Sequence, residues 1–232
     1  MQCLRFLIGL IGFPLIWALA RAVVYALASG LTSGGLFTPG ACGFALGAIT
    51  MAALTVWFKT KLNIVYVFAH EMTHALFCLL TFSRIHKISV TSHGGFVEHS
   101  DANMLITLSP YCFPFYLMIA LLLRLLTETL LPGIIPWPLW CALFGLCTTF
   151  HAIFTFDALV SVAQPDTEPY GRLFSYVLIT ELNLFFALLA AALTGLISYS
   201  GAATALLGFT ADTYLFIWDV LTAVCAKIST VF

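Results

Sequence analysis

The sequence predicts an all-α polytopic membrane protein with six to seven transmembrane helices and one short β-hairpin. Of its 232 residues, 62% are hydrophobic and only 8% are charged, whereas a soluble domain carries about 25% charged residues. Apolar runs of about 20 residues, the length that crosses a bilayer, fill almost the whole chain. We therefore expect a single integral membrane domain over residues 1–232, surrounded by the lipid bilayer. The net charge of −1 gives no indication of a nucleic-acid partner.

Seven apolar runs account for the predicted helices. The expected spans are 6–29, 36–58, 62–82, 104–126, 136–162, 173–199 and 203–226. The count falls to six if one C-terminal run is re-entrant. Pro110 and Pro114 predict a loosened start of the fourth helix, because proline cannot donate the helical hydrogen bond. Lysine and arginine divide evenly between the two sides, so the positive-inside rule gives no orientation. The sequence does not identify the membrane, and a bacterial cytoplasmic membrane is our working assumption.

The third predicted span carries an HExxH motif, His70-Glu71-Met72-Thr73-His74. On a helix, side chains at positions i and i+4 lie on one face, about 6 Å apart, so His70 and His74 are able to bind one Zn²⁺ ion together. Glu71 follows the first histidine, as the general base of such a site does. Charged groups within an apolar span cost about 2.5–3.5 kcal/mol each, which favours a functional role for the motif.

The polar stretch 84–99, directly after the motif span, predicts a short β-hairpin. β-Branched residues alternate in Ile88-Ser89-Val90, and Gly94-Gly95 is a turn signal. We expect the hairpin to lie at the membrane surface beside the motif helix, where an edge strand pairs with an extended peptide. Gly94, Gly95 and Phe96 are the candidate substrate-binding residues. The alternative is a solvated loop.

A catalytic zinc site requires one more protein ligand, because such sites bind three side chains and keep one position for water. Asp157, in the fifth predicted span, is the first candidate, since an acid between Phe156 and Ala158 has no evident structural use in lipid. His151 is a candidate partner of a ligand, or an alternative ligand. Asp166 follows the span in a Pro-rich turn, where it is most simply the N-cap of the next helix region. As a ligand, Asp166 would have to fold back.

Taken together, these features resemble the site-2 protease class of intramembrane zinc metalloproteases, and most closely its compact branch without PDZ or CBS domains. The resemblance covers about residues 65–175. It implies that His70, His74 and Asp157 bind zinc, that Glu71 is catalytic, and that Gly94-Gly95 forms the turn of the family's hairpin. Better-known members carry an Asn-x-x-Pro segment followed by Asp-Gly at the third ligand, whereas here Asp157 is followed by alanine and has no asparagine nearby.

The resemblance implies a function and a catalytic core over about residues 62–175. We expect one Zn²⁺ per chain and hydrolysis of peptide bonds in or near a transmembrane segment of a membrane-protein substrate. A proteolytically inactive relative, acting as a membrane chaperone or regulator, is one alternative. A divalent-metal transporter is another, against which Glu71 argues because metal binding alone needs no base. The physiological substrate and the oligomeric state stay open.

Overall fold

The structure is a computed structural model that describes residues 2–91, 94–161 and 164–229. Within these ranges the chain forms seven α-helices and one two-stranded antiparallel sheet. The elements are α1 (Gln2–Ser33), α2 (Pro39–Leu80), β1 (Ile85–Thr91), β2 (Gly94–His99), α3 (Met104–Cys112), α4 (Phe115–Leu130), α5 (Trp137–Ser161), α6 (Arg172–Leu193) and α7 (Tyr199–Ser229). Two 3₁₀ turns, Gly35–Phe37 and Pro165–Thr167, lie between helices. The helical class with one hairpin is confirmed.

Five of the described helices are long and apolar enough to cross a bilayer, namely α1, α2, α5, α6 and α7. The pair α3 and α4 gives a sixth candidate span, which is broken between the helices and bent by 79°. The break falls at Phe113 and Pro114. Pro114 is one of the two prolines from which the sequence predicted an irregular start of the fourth helix. By helix length and composition, the described chain therefore has five candidate spans, or six with the broken pair, when α2 is counted as one helix. This is in keeping with an integral membrane protein.

The predicted second and third spans are the two halves of one helical element, α2, with no loop between them. Its 42 residues contain one non-helical residue, Phe58, at φ −126° and ψ 18°. Met51, before this residue, and Tyr66, after it, pack in the same cluster around Phe150 and Phe154 of α5. A straight helix would separate positions 51 and 66 by about 22 Å. The helix is therefore sharply bent at Phe58, and both halves pack against α5.

Close packing between α2 and α5 places the functional segment. A side chain at Gly47 would overlap the backbone of Ala142, and one at Gly145 would overlap the backbone of Phe44. Glycines that let two helices approach this closely are common at helix interfaces in membranes. The helices α1, α6 and α7 form a second group, which meets in a cluster of small and aliphatic side chains: Ala22, Ala26, Leu188, Ala192, Ile197, Ala202 and Ala205.

The hairpin lies along the second half of α2. Its last described pairs are Val90 with Gly95 and Thr91 with Gly94. The sequence suggested that Gly94 and Gly95 form the turn, but in the structure they begin β2. Positions 92 and 93, between the two strands in sequence, lie outside the described residues. Gly95 packs against the side chain of Glu71, which is about 13 Å from the end of α2. The hairpin thus reaches back along the helix to the motif.

Candidate metal centre

Helical spacing in the second half of α2 places the two motif histidines side by side. The Nε2 atoms of His70 and His74 are 3.2 Å apart, and the rings meet edge to face with centroids 4.8 Å apart. Both side chains are largely buried, at 13% and 12% exposed. Two imidazole nitrogens that converge at this distance in an apolar setting are well placed to share a cation.

Neighbouring groups orient both imidazole rings. His74 Nδ1 lies 2.8 Å from the carbonyl oxygen of Ile106. A carbonyl only accepts, so Nδ1 carries the proton and Nε2 presents its lone pair to the cluster. The hydroxyl of Tyr66 lies 3.5 Å from Nδ1 of His70, and the Tyr66 ring stacks on Phe154. Metal-binding histidines ordinarily have such a partner at the second ring nitrogen.

The third member of the cluster is Asp166, from the 3₁₀ turn after α5. Its Oδ2 lies 3.6 Å from Nε2 of His70 and 3.8 Å from Nε2 of His74. These three side chains form the metal-ligand group found among the described residues. Ligands placed tetrahedrally at about 2.0–2.2 Å from zinc lie about 3.3–3.6 Å from one another. The three observed separations, 3.2, 3.6 and 3.8 Å, lie within about 0.2 Å of this range. The cluster, with its donor set of two imidazoles and one carboxylate, could therefore hold one zinc ion.

Asp157 is not the carboxylate beside the histidines, and the geometry replaces it by Asp166 as the candidate third ligand. Asp157 Oδ1 lies 2.6 Å from Nζ of Lys59, at the bend of α2, and accepts a hydrogen bond from Ser161 Oγ at 3.2 Å. This ion pair supplies the structural use that the sequence did not reveal. Asp166 is also not the N-cap of α6, because that position is Gly171.

Tyr111 anchors Asp166. Its hydroxyl lies 2.9 Å from Asp166 Oδ2 and 3.0 Å from Gln164 Oε1, and its ring centroid is 5.1 Å from that of His70. The tyrosine is fully buried, so its O–H must find a partner here. Burial works to raise the pKa of Asp166, but His70, His74 and the Tyr111 hydroxyl outweigh it, and this pKa lies below its ordinary value. The carboxylate is therefore ionised at neutral pH.

Glu71 lies inside the site and is almost fully buried, at 5% exposed. It is close enough to His70 and Asp166 to interact electrostatically with both. Its Oε2 has no hydrogen-bond partner among the described residues. A buried carboxylate oxygen without a partner is costly, by about 1–3 kcal/mol or more, and fits a group whose task is to bind and deprotonate water.

A cavity of about 550 Å³ opens beside the motif. One wall is polar and contains the cluster, Glu71 and Asp157, and another is formed by β2 with the three candidate substrate-binding residues. The lining side chains and glycines that the sequence singled out are His70, Glu71, His74, Gly94, Gly95, Phe96, Asp157 and Asp166. The structure thus places β2, the HExxH motif and Asp166 around the same cavity.

His151 is not in the cluster. Its imidazole lies near the Asn183 side chain and the carbonyl of Tyr111 and lines a small pocket together with His70. It is not one of the converging ligand groups. Sequence reasoning missed Tyr66 and Tyr111. Tyr66 had a local signal, because it lies four residues before His70 on the same helix face. Tyr111 had none, since its contact with Asp166 joins distant parts of the chain.

No protein-family model, curated protein or solved structure matches this chain. The resemblance to site-2 proteases thus rests on the motif residues, and the geometry of the site carries the functional argument.

Proposed function

We propose that this protein is an intramembrane zinc metalloprotease that hydrolyses peptide bonds in or near transmembrane segments of other membrane proteins. One observation carries the proposal: the ligand atoms of His70, His74 and Asp166 form a triangle that fits zinc, with Glu71 buried beside it. A transport site would need the three ligands alone. Hydrolysis needs, in addition, a buried carboxylate such as Glu71, which lies between the two histidines in sequence and has one oxygen without a hydrogen-bond partner among the described residues.

The chain's own residues divide the chemical work. His70, His74 and Asp166 would hold the metal, which when bound lowers the pKa of its water to about 7 and polarises the scissile carbonyl. Glu71 accepts one proton from the attacking water as the water oxygen bonds to the carbonyl carbon. Glu71 then gives that proton to the amide nitrogen as the C–N bond breaks, which leaves a carboxylic acid and an amine. The acid's remaining proton passes to the amine, so the products at neutral pH are a carboxylate and an ammonium group.

The cavity suggests how a substrate is held. The carbonyls of a helical segment are hydrogen-bonded within the helix, so a substrate must unwind before its backbone is attacked. β2 lies next to Glu71 through Gly95, and an unwound segment is able to pair with a strand by main-chain hydrogen bonds. Phe96, at the same wall, offers an aromatic surface to the substrate side chains. The substrate class is therefore a membrane segment that unwinds locally.

Glu71→Gln tests the function. We expect wild type to hold about one zinc per chain and to cleave a reconstituted single-span substrate that has a helix-loosening residue near its middle. Glu71→Gln should keep the zinc and lose about 10²–10⁴ in rate, because glutamine fills the same space and cannot accept the proton. Glu128→Gln, at the far end of α4, is the matched control and should cleave normally.

The same experiment separates the alternatives. Zinc in both proteins, with equal product from wild type and Glu71→Gln over a panel of such substrates, would overturn the protease proposal and favour an inactive relative. Metal-dependent ion uptake into vesicles that Glu71→Gln leaves unchanged would favour a transporter.

A further inference from the structure

The short helix α3 contributes no metal ligand, yet it contacts all three candidate ligands. The Ile106 carbonyl accepts from Nδ1 of His74 at 2.8 Å. One turn later, the Tyr111 hydroxyl lies 2.9 Å from Asp166, and the Tyr111 ring packs edge to face against His70. The helix is only 9 residues long. The contacts with the three candidate ligands therefore all come from one short segment, 106–111.

Pro110 explains why the Ile106 carbonyl is available. In an α-helix the carbonyl of residue i accepts from the N–H of residue i+4, and the residue four positions after Ile106 is Pro110, which has no N–H. The carbonyl is instead used by His74 Nδ1 at 2.8 Å and by Ser109 Oγ at 3.0 Å. Its two lone pairs are thus both occupied. An amide N–H at position 110 would be a third donor for two sites.

Both ends of α3 are fixed by side chains. At the N-terminus, Asn103 Oδ1 accepts from the Ile106 N–H at 2.9 Å. At the other end the helix breaks before α4, and Asn183 of α6 donates Nδ2–H to the Tyr111 carbonyl at 2.8 Å. The segment between these two contacts is almost entirely buried. Ile106 and Tyr111 are therefore held in place independently of the ligands that they contact.

We propose that α3 is the positioning element of the metal site, and that Pro110 is the residue which frees the Ile106 carbonyl to orient His74. The carbonyl fixes the His74 tautomer with its Nε2 lone pair toward the metal, and Tyr111 fixes the Asp166 carboxylate. The inference rests on the zinc site of the proposed function but not on peptide hydrolysis. Partners of this kind typically contribute about 10–100-fold in metal affinity.

Pro110→Ala is the critical variant, and Co²⁺ is the probe. Alanine restores the N–H at position 110, which competes with His74 for the Ile106 carbonyl. We expect the Kd for Co²⁺, titrated into metal-free protein in detergent, to rise about 10-fold, with altered visible absorption bands. The Tm of the metal-free protein should not fall, because alanine is favoured over proline inside a helix. A purely structural role for Pro110 would instead weaken Co²⁺ binding and lower the Tm of the metal-free protein together.

Pro110→Ala and a second test variant, Tyr111→Phe, each have a matched control. Pro14→Ala makes the same change inside α1 and should leave Co²⁺ binding unchanged. Tyr111→Phe should also weaken Co²⁺ binding about 10-fold, whereas Tyr176→Phe, whose hydroxyl contacts the Leu159 carbonyl, should not.

The outcomes are distinct. If Pro110→Ala binds Co²⁺ as wild type does, or loses binding only together with thermal stability, the role of Pro110 is overturned. If wild type binds Co²⁺ and cleaves nothing, the proposed function fails while the role of α3 stands. If wild type binds no metal, both fail.

Discussion

At the scale of single residues, charge compensation decides which acid joins the histidines. Asp157 and Asp166 both line the cavity, so access to the site does not separate them. Asp157 forms an ion pair with Lys59 at 2.6 Å, and this neutralises it at the bend of α2. The Asp166 carboxylate faces the two imidazoles and the Tyr111 hydroxyl instead. Asp166 is therefore the acid whose negative charge is not paired with Lys59, and a cation bound with the histidines would neutralise that charge.

The first residue-scale prediction compares the two acids. Asp166→Ala should lose zinc, because it removes one of three ligands, while Asp157→Ala should retain about one zinc per chain and lose at most modest stability at the exposed ion pair. Metal analysis of both purified variants, beside His70→Ala and His74→Ala, checks this. Zinc retained by Asp166→Ala and lost by Asp157→Ala would restore Asp157 as the ligand.

At the scale of elements, the hairpin and the motif helix are coupled through one glycine. A Cβ at Gly95 would lie 2.6 Å from Cγ of Glu71 and 2.7 Å from the carbonyl oxygen of Ser89. Both distances are shorter than real Cβ contacts, and one neighbour is rigid strand backbone. β2 therefore lies as close to Glu71 as the backbone permits, and any side chain at position 95 must displace the strand or the Glu71 side chain.

Gly95→Ala is the element-scale prediction. It should reduce turnover by about 10²-fold, since a shift of about 1 Å at a reacting group has that effect, and it should leave zinc content unchanged because no ligand moves. Gly208→Ala is the matched control, since a Cβ there meets nothing within 4 Å. Cleavage by Gly95→Ala at the wild-type rate would show that β2 has room to adjust, and that the glycine is not needed for the reaction.

At the scale of the whole molecule, the candidate metal site joins three separate parts of the chain. The histidines come from α2, Asp166 from the turn after α5, and the residues that orient His74 and Asp166 from α3. A metal held by such a site binds the folded state and not the unfolded chain. Ligand binding of this kind stabilises the fold by about 2.7 kcal/mol when the free ligand is at 100 times its Kd.

Zinc removal is the corresponding prediction. Chelation should lower the Tm of wild type in detergent, and added zinc should restore it. The double variant His70→Ala/His74→Ala should melt at one temperature with and without chelator, because it has no site to lose. An identical response of wild type and the double variant to the chelator would place the metal elsewhere or exclude its contribution to the fold.

Contacts at the start of α1 predict the membrane sidedness. Arg5 donates to the Pro169 carbonyl at 3.0 Å and packs on the Tyr170 ring. The beginning of α1 and the turn that carries Asp166 must therefore face the same aqueous side. In two variants that each keep a single cysteine, Cys3 or the cysteine introduced by Glu168→Cys, that cysteine should react with an impermeant maleimide from the same face of sealed vesicles. Labelling from opposite faces would contradict this arrangement.

Much of the fold, and the core of the candidate site, depends on local patterns that the sequence contains. Apolar runs locate the long helices, because each must satisfy its own backbone hydrogen bonds in lipid. The spacing of His70 and His74 brings their rings together, since a helix of any sequence repeats every 3.6 residues. Alternating β-branched residues likewise predict a strand after the motif, whereas the two glycines, which the sequence suggested as the turn, begin β2.

Only the tertiary structure decided the third carboxylate, the bend and the role of α3. Phe58 bends α2 without a loop, because the two halves gain packing on one face of α5. Asp166, rather than Asp157, meets the histidines because Lys59 pairs with one acid and Tyr111 holds the other. The Ile106 carbonyl meets His74 because α3 is broken and fixed at both ends. Each of these contacts joins residues that are far apart in the chain, and periodicity specifies geometry only within one helix or strand.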